Sequence, residues 1–268
     1  MRLLLSSLWI RPLLSLSALS LVGCVSVTPQ TQGRAVAMPE ARSQAPAKPR
    51  SKRSAPPISA AGFARRISHS SVPTSEKLLA MTFDDGPHPK LTARLLDLLA
   101  QRGVKATFFV VGRNVRTYPA LVRRMIAEGH EVASHTDTHP SLTKLSEAGI
   151  RQELERTEKA IVAAAQIKPV LLRPPYGATN ERVNRQAFSQ FGYQTILWSV
   201  DPEDWRRPGP SVVASRLVAG AHPGGILLAH DIHAGTIDAM PQALDALLAQ
   251  GYRFVTVSQL LSSATVLP

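Results

Sequence analysis

The chain of 268 residues contains a single cysteine, Cys24, which excludes an internal disulfide framework and a thiolate-built zinc ribbon. Aromatic residues make up only 5%. Away from the N-terminus, no apolar run reaches the roughly 18–20 residues of a membrane-spanning helix. Acidic residues are few beside basic ones, 19 against 31, for a net charge of +12. Spread over a folded surface, that excess would fit a nucleic-acid binder. It is not spread: residues 1–24 carry +2, residues 25–76 carry +6 and the remainder +4. Most of the charge therefore lies outside the expected folded domain, and no nucleic-acid partner is expected. What the chain does have is 44% hydrophobic and 19% charged residues, enough for a sizeable core.

Residues 1–23 read as an export signal, with Arg2 and Arg11 ahead of an apolar run at 13–22. The run ends Leu21-Val22-Gly23-Cys24, which resembles a bacterial lipobox, in which the cysteine is lipidated and becomes the mature N-terminus. The bland alternative is an ordinary cleaved signal with an incidental cysteine. Residues 24–76 hold Pro29, Pro39, Pro46, Pro49, Pro56, Pro57 and Pro73 among Ala, Ser and Arg. Such a stretch breaks helices and strands and reads as a disordered spacer, or as a basic tail for anionic surfaces. The expected location is the cell envelope, membrane-anchored and facing the periplasm. Val25 stands where some bacteria place a retention aspartate, which leans towards the outer membrane.

From residue 77 to 268 the pattern alternates. Strands are expected at 78–83, 106–111, 131–134, 170–172, 193–200, 226–229 and 254–257. Helices are expected at 91–101, 120–128, 146–165, 181–190, 211–219 and 240–250. About seven β-then-α units imply an α/β fold with a parallel sheet, either closed into a barrel or doubly wound. In both, the loops after the strand C-termini hold the chemistry.

Five titratable groups follow the strands at that end: Thr82-Phe83-Asp84-Asp85-Gly86, His135-Thr136-Asp137-Thr138-His139, Arg173-Pro174-Pro175-Tyr176-Gly177, Asp201-Pro202-Glu203-Asp204-Trp205 and Leu228-Ala229-His230-Asp231. A lone His-x₃-His is a poor metal signal, and adjacent aspartates suit any surface turn; their convergence is what matters. Two imidazoles and one carboxylate make a three-ligand catalytic site with a position open for water. Asp85 is the expected carboxylate, beside His135 and His139. Asp84, its side chain pointing apart from that of Asp85 on an extended segment, is then free to act as general base.

These groups resemble, in order, the five motifs of the polysaccharide deacetylase family, the NodB-like carbohydrate esterases; the likeness covers about residues 77–261. It implies a distorted (β/α)7 barrel, a divalent metal, most often zinc with cobalt or nickel as alternatives, and hydrolysis of the N-acetyl group of N-acetylglucosamine in a glycan. It further implies that Asp84 is the base and that Asp85, His135 and His139 hold the metal. Arg173 would orient Asp84 and keep it ionised, and the Tyr176 N–H would stabilise the oxyanion. His230 would be the general acid held by Asp204, with Trp205 and Leu228 lining the acetyl pocket. Asp201 reads equally as a partner of the site or as a turn former. His88 and His233 fit loops, and His69 and His222 carry no assignment.

The expected partners are an N-acetylglucosamine polysaccharide, peptidoglycan foremost, and a membrane through lipidated Cys24, with the chain monomeric. The rival readings are a deacetylase of chitin oligomers, poly-N-acetylglucosamine or O-acetylated xylan, and a glycan-binding lipoprotein without turnover.

Overall fold

The computed structural model describes residues 66–264; the leader, Cys24, linker residues 25–65 and residues 265–268 lie outside them. Eight strands form one sheet: β1 (Ser68–His69), β2 (Leu78–Asp84), β3 (Thr107–Val110), β4 (Glu131–Ser134), β5 (Leu171–Leu172), β6 (Gln194–Ile196), β7 (Gly225–His230) and β8 (Arg253–Phe254). Every strand pairing is parallel. The order is β1-β6-β5-β4-β3-β2-β7, with β8 pairing the start of β2. Just beyond β6, Val200 bridges Leu227 of β7, also in parallel. That contact joins the two flanks of the sheet, giving the distorted barrel that the alternation and the motifs imply.

All seven residues of β2 are buried. A strand covered on both faces reads as a continuous apolar run, and Leu-Leu-Ala-Met-Thr-Phe-Asp does so until its last residue. The outer layer consists of α1 (Leu91–Gln101), α2 (Gly112–Thr117), α3 (Pro119–Ala127), α4 (Glu147–Ala165), α5 (Glu181–Phe191), α6 (Pro210–Gly220), α7 (Ala234–Ala249) and α8 (Val257–Ser262). Three starts carry side-chain caps: Ser146 accepts from Gly149 N at 3.2 Å, Asn180 from Val183 N at 3.0 Å and Thr256 from Gln259 N at 3.3 Å. No helix among the described residues is long and apolar enough to cross a membrane.

Five features depart from the sequence reading, the first being that the strand expected at 193–200 ends at Ile196. The sheet takes in Ser68 and His69, with Val72 buried, ahead of the expected start at Lys77; two residues beside Pro73 show no periodicity to read. α7 begins at Ala234 rather than 240 and carries Pro241 inside it. Buried Ile237, Met240, Leu244 and Leu247 recur at helical spacing on both sides of the proline, and their packing outweighs its cost of about 3 kcal/mol. The last strand ends at Phe254, because Thr256 and Gln259 form a capping box that starts α8. The short helix α2 was not anticipated, and it matters to the site.

Candidate active site

The strand register sets the site. Asp84, last in β2, lies beside His230, last in β7, with Phe109 of β3 on its other side. β4 delivers His135 and β5 delivers Arg173 to the same edge. A cavity of about 510 Å³ opens there. Asp84, Asp85, His135, His139 and His230 face it, with Tyr176, Trp205 and Leu228 as further walls.

Asp85 Oδ1 lies 3.5 Å from His135 Nε2 and 3.2 Å from His139 Nε2, and the three ligand atoms all fall within 4.8 Å of one another. His135 Nδ1 bonds the Arg173 carbonyl at 2.6 Å. A carbonyl only accepts, so Nδ1 carries the proton and Nε2 turns its lone pair to the cluster. This second hydrogen bond is the usual device for orienting a metal-binding imidazole. The donor set and its orientation fit a divalent cation.

Asp84 is buried and faces both ways. Its Oδ1 accepts from Arg173 Nη1 at 2.7 Å, while Oδ2 stands 3.8 Å from His135 Nε2. Arg173 is fully buried, and its remaining hydrogen bonds go to Thr82 Oγ1 and the carbonyls of Ile196 and Leu197. Its guanidinium also stacks 4.1 Å from the Phe109 ring centre. Across the cavity, Asp204 accepts from the His230 ring at 2.8 Å, the His230 backbone N–H at 2.8 Å and the Thr236 hydroxyl at 2.7 Å. Burial lowers the His230 pKa, but the hydrogen bond and charge of Asp204, aided by Asp84 and Asp85, raise it to about 9. A carboxylate pair on one side thus faces an imidazolium on the other.

The sequence profile of the family described as "Polysaccharide deacetylase" matches residues 71–196. The peptidoglycan-N-acetylglucosamine deacetylase of Bacillus cereus is 41% identical over 195 residues, covering 71% of this chain and 91% of that one. This chain belongs to the polysaccharide deacetylase family. The peptidoglycan-N-acetylglucosamine deacetylase of Listeria monocytogenes is 43% identical over 186 residues, which is 69% of this chain but 39% of the relative. The chain therefore spans about two-fifths of the length of that relative. A solved structure described as a T48 deacetylase with substrate superposes with a TM-score of 0.68 at 43% identity, covering 72% of this chain and 95% of the other.

Beyond the motif residues, this deacetylase fold braces both ligand loops in ways the sequence did not announce. Asp85, Thr136 and His139 adopt left-handed backbone conformations, with φ of 75°, 66° and 66°. Non-glycine residues hold such angles only where neighbours over-determine them. α2 supplies part of that restraint: Asn114 Nδ2 bonds the Asp85 carbonyl at 2.8 Å, while Gly112 N and Arg113 N bond the carbonyls of Thr136 and Asp137 at 3.0 and 3.1 Å. Glu153 of α4 supplies the rest, accepting from Asp137 N, Thr138 N and Thr138 Oγ1, each at 2.8 Å. Glu153 lies fourteen positions after His139, and nothing local marks it. Glu153→Ala is expected to weaken metal binding by ten- to a hundredfold, as outer-shell losses do, read by chelator competition. Glu153→Gln, which can still accept, should recover part of it.

Asp231, quoted in the last motif without a role, is fully buried under the first ligand loop. It accepts from Thr92 Oγ1, which in turn accepts from His88 N at 2.7 Å. A side chain at Gly86 would collide with its carboxylate, so glycine is what lets the loop close over it. Burial is the main cause that pushes the Asp231 carboxyl up to about 7. His88 Nδ1 accepts from Leu91 N at 3.1 Å and helps start α1, in keeping with a loop residue. Asp201 forms the turn read for it, Oδ1 accepting from Glu203 N at 2.7 Å, and the residue also lines the cavity. Trp198 and His233 also line the cavity, although neither was singled out for it.

Proposed function

We propose that this chain is a metal-dependent deacetylase that hydrolyses the N-acetyl group of N-acetylglucosamine in a glycan, with peptidoglycan the first substrate. The observation that carries this is the meeting, in one cavity, of the Asp85, His135 and His139 donor set with Asp84 on one side and the Asp204-held His230 on the other. Asp85, His135 and His139 would hold a divalent cation, with zinc the best fit to two imidazoles and a carboxylate and cobalt or nickel as substitutes, and it would supply Lewis acidity towards a water and the acetyl carbonyl. Asp84 takes the proton from the attacking water, and Arg173 fixes the carboxylate that does so. Tyr176 offers its N–H to the oxyanion, in line with the family resemblance. His230 donates a proton to the departing nitrogen, since an amine anion is too poor a leaving group to depart unprotonated. The C–N bond breaks, and acetate and a free amine result. Trp205 and Leu228 close around the methyl group.

The Bacillus and Listeria relatives carry peptidoglycan-N-acetylglucosamine in their names, which supports the same substrate here. A lipidated Cys24 and the basic linker would hold the enzyme in the envelope, on the outer membrane facing the periplasm, within reach of that polymer.

Acetate release from peptidoglycan and from N-acetylglucosamine oligomers tests the reading, measured after chelation and after return of zinc, cobalt or nickel. Release that requires the cation supports it; none from any acetylated glycan overturns it in favour of a binding lipoprotein. The His230 pKa sets a pH signature. The acid form is the active one, so activity is present at neutral pH and lost as pH rises through about 9. Asp204→Asn removes the strongest raising influence and should move that loss to lower pH.

A further inference from the structure

We infer that a second hollow beside the catalytic cavity is a subsite for a carboxylate carried by the glycan; this rests on the deacetylase reading above. The hollow measures about 320 Å³ and shares His233 with the catalytic cavity. The His233 and His230 rings lie 6.0 Å apart, so the two spaces meet within a few ångströms of the proposed general acid. A polymer bound with one acetyl group in the first space carries a neighbouring substituent towards the second.

The charges around the second hollow decide its chemistry. Three arginines follow Trp205 on this side. Arg206 stacks over the Trp205 ring at 4.7 Å and lies 3.4 Å from Glu203. Arg216 bonds Glu203 at 2.9 Å and the Pro202 carbonyl at 3.0 Å. Arg207 lines the hollow and makes no side-chain hydrogen bond or ion pair among the described residues. Its backbone is left-handed, with φ of 56°, a conformation the turn imposes on a non-glycine residue. Asp204 also borders the hollow, but both its oxygens are engaged by His230 and Thr236, and the His230 charge balances its own. The catalytic cavity, by contrast, is lined by Asp84, Asp85 and Asp201 and would repel an anion wherever no cation balances them. An anionic group that reaches the second hollow therefore meets a counter-charge at Arg207, whose planar fork suits a carboxylate.

In a wall glycan that carboxylate has two sources, the lactyl ether of muramic acid and the stem peptide attached through it. Chitin oligomers have neither. The test compares kcat and KM for acetate release by the full chain and its Arg207→Ala and Arg207→Lys variants. The substrates are N-acetylglucosamine oligomers, peptide-free glycan strands with the lactyl carboxylate free, the same strands with it amidated, and peptide-bearing strands. Loss of a charge-assisted hydrogen bond predicts that Arg207→Ala raises KM about tenfold on strands with a free carboxylate, with kcat unchanged. Arg207→Lys should restore part of the loss, and oligomers and amidated strands should not respond. An effect confined to peptide-bearing strands assigns the carboxylate to the peptide and upholds the subsite. An equal KM change on oligomers, or no change on any strand, overturns it. Turnover of carboxylate-bearing strands with no response to Arg207 overturns the subsite alone, whereas no turnover of any glycan overturns the deacetylase reading with it.

Discussion

Asp84→Asn is expected to lower kcat for acetate release by about a thousandfold, within the range of a lost general base. The substitution keeps the shape of the side chain and an oxygen that can accept from Arg173, but removes the site that takes a proton. Metal binding should persist, because Asp85, His135 and His139 form the donor set without Asp84. Arg173 keeps Thr82 and two carbonyl partners. The check is single-turnover acetate release alongside metal content of the same preparation. Retained metal with activity near wild type would remove Asp84 from the chemistry.

Arg173→Ala is expected to destabilise the protein by about 3–5 kcal/mol, the usual cost of stripping one partner from a buried ion pair. Arg173 is fully buried and Asp84 nearly so; without the guanidinium, the carboxylate is left desolvated beside Phe109. For a domain of this size, that corresponds to a fall of about 10 °C in Tm. The sign of the coupling is the sharper test. Adding Asp84→Asn to Arg173→Ala removes the stranded charge, so the double variant should be more stable than Arg173→Ala alone, although Asp84→Asn by itself is less stable than wild type. Thermal melts of the four proteins decide it. Simple additivity would mean that the pair does not act as a pair.

The chemistry of the site was legible because it sits in local patterns. Each motif follows a strand, and in parallel sheets the residues after strand ends gather at one edge. Asp85, His135 and His139 could be named from type and order alone, and the structure brings their ligand atoms within 4.8 Å. The strand at 78–83 was visible as an unbroken apolar run, and the longest helices showed their caps and periodicity, as Ser146 does for α4. The supports were not legible. Glu153 looks like any exposed helical glutamate until its helix is laid against the 135–139 loop. Asn114 lies in a helix of six residues, too short to show a period. Asp231 stands within a motif, but its role depends on Thr92, 139 positions earlier, which packs against it.

The same division holds for the whole protein. Its amino-acid order by itself determined the alternation of strands and helices, the end of the barrel at which the titratable groups gather and the residue types among them, since turn residues, apolar runs and motif spacing act over a few positions. Only the tertiary structure decided which backbone groups brace the ligand loops, how far β1 and α7 extend beyond their local signals, and that Arg207 stands unengaged beside a second hollow. Those properties arise from contacts between segments tens of residues apart, where packing and burial outweigh local preference.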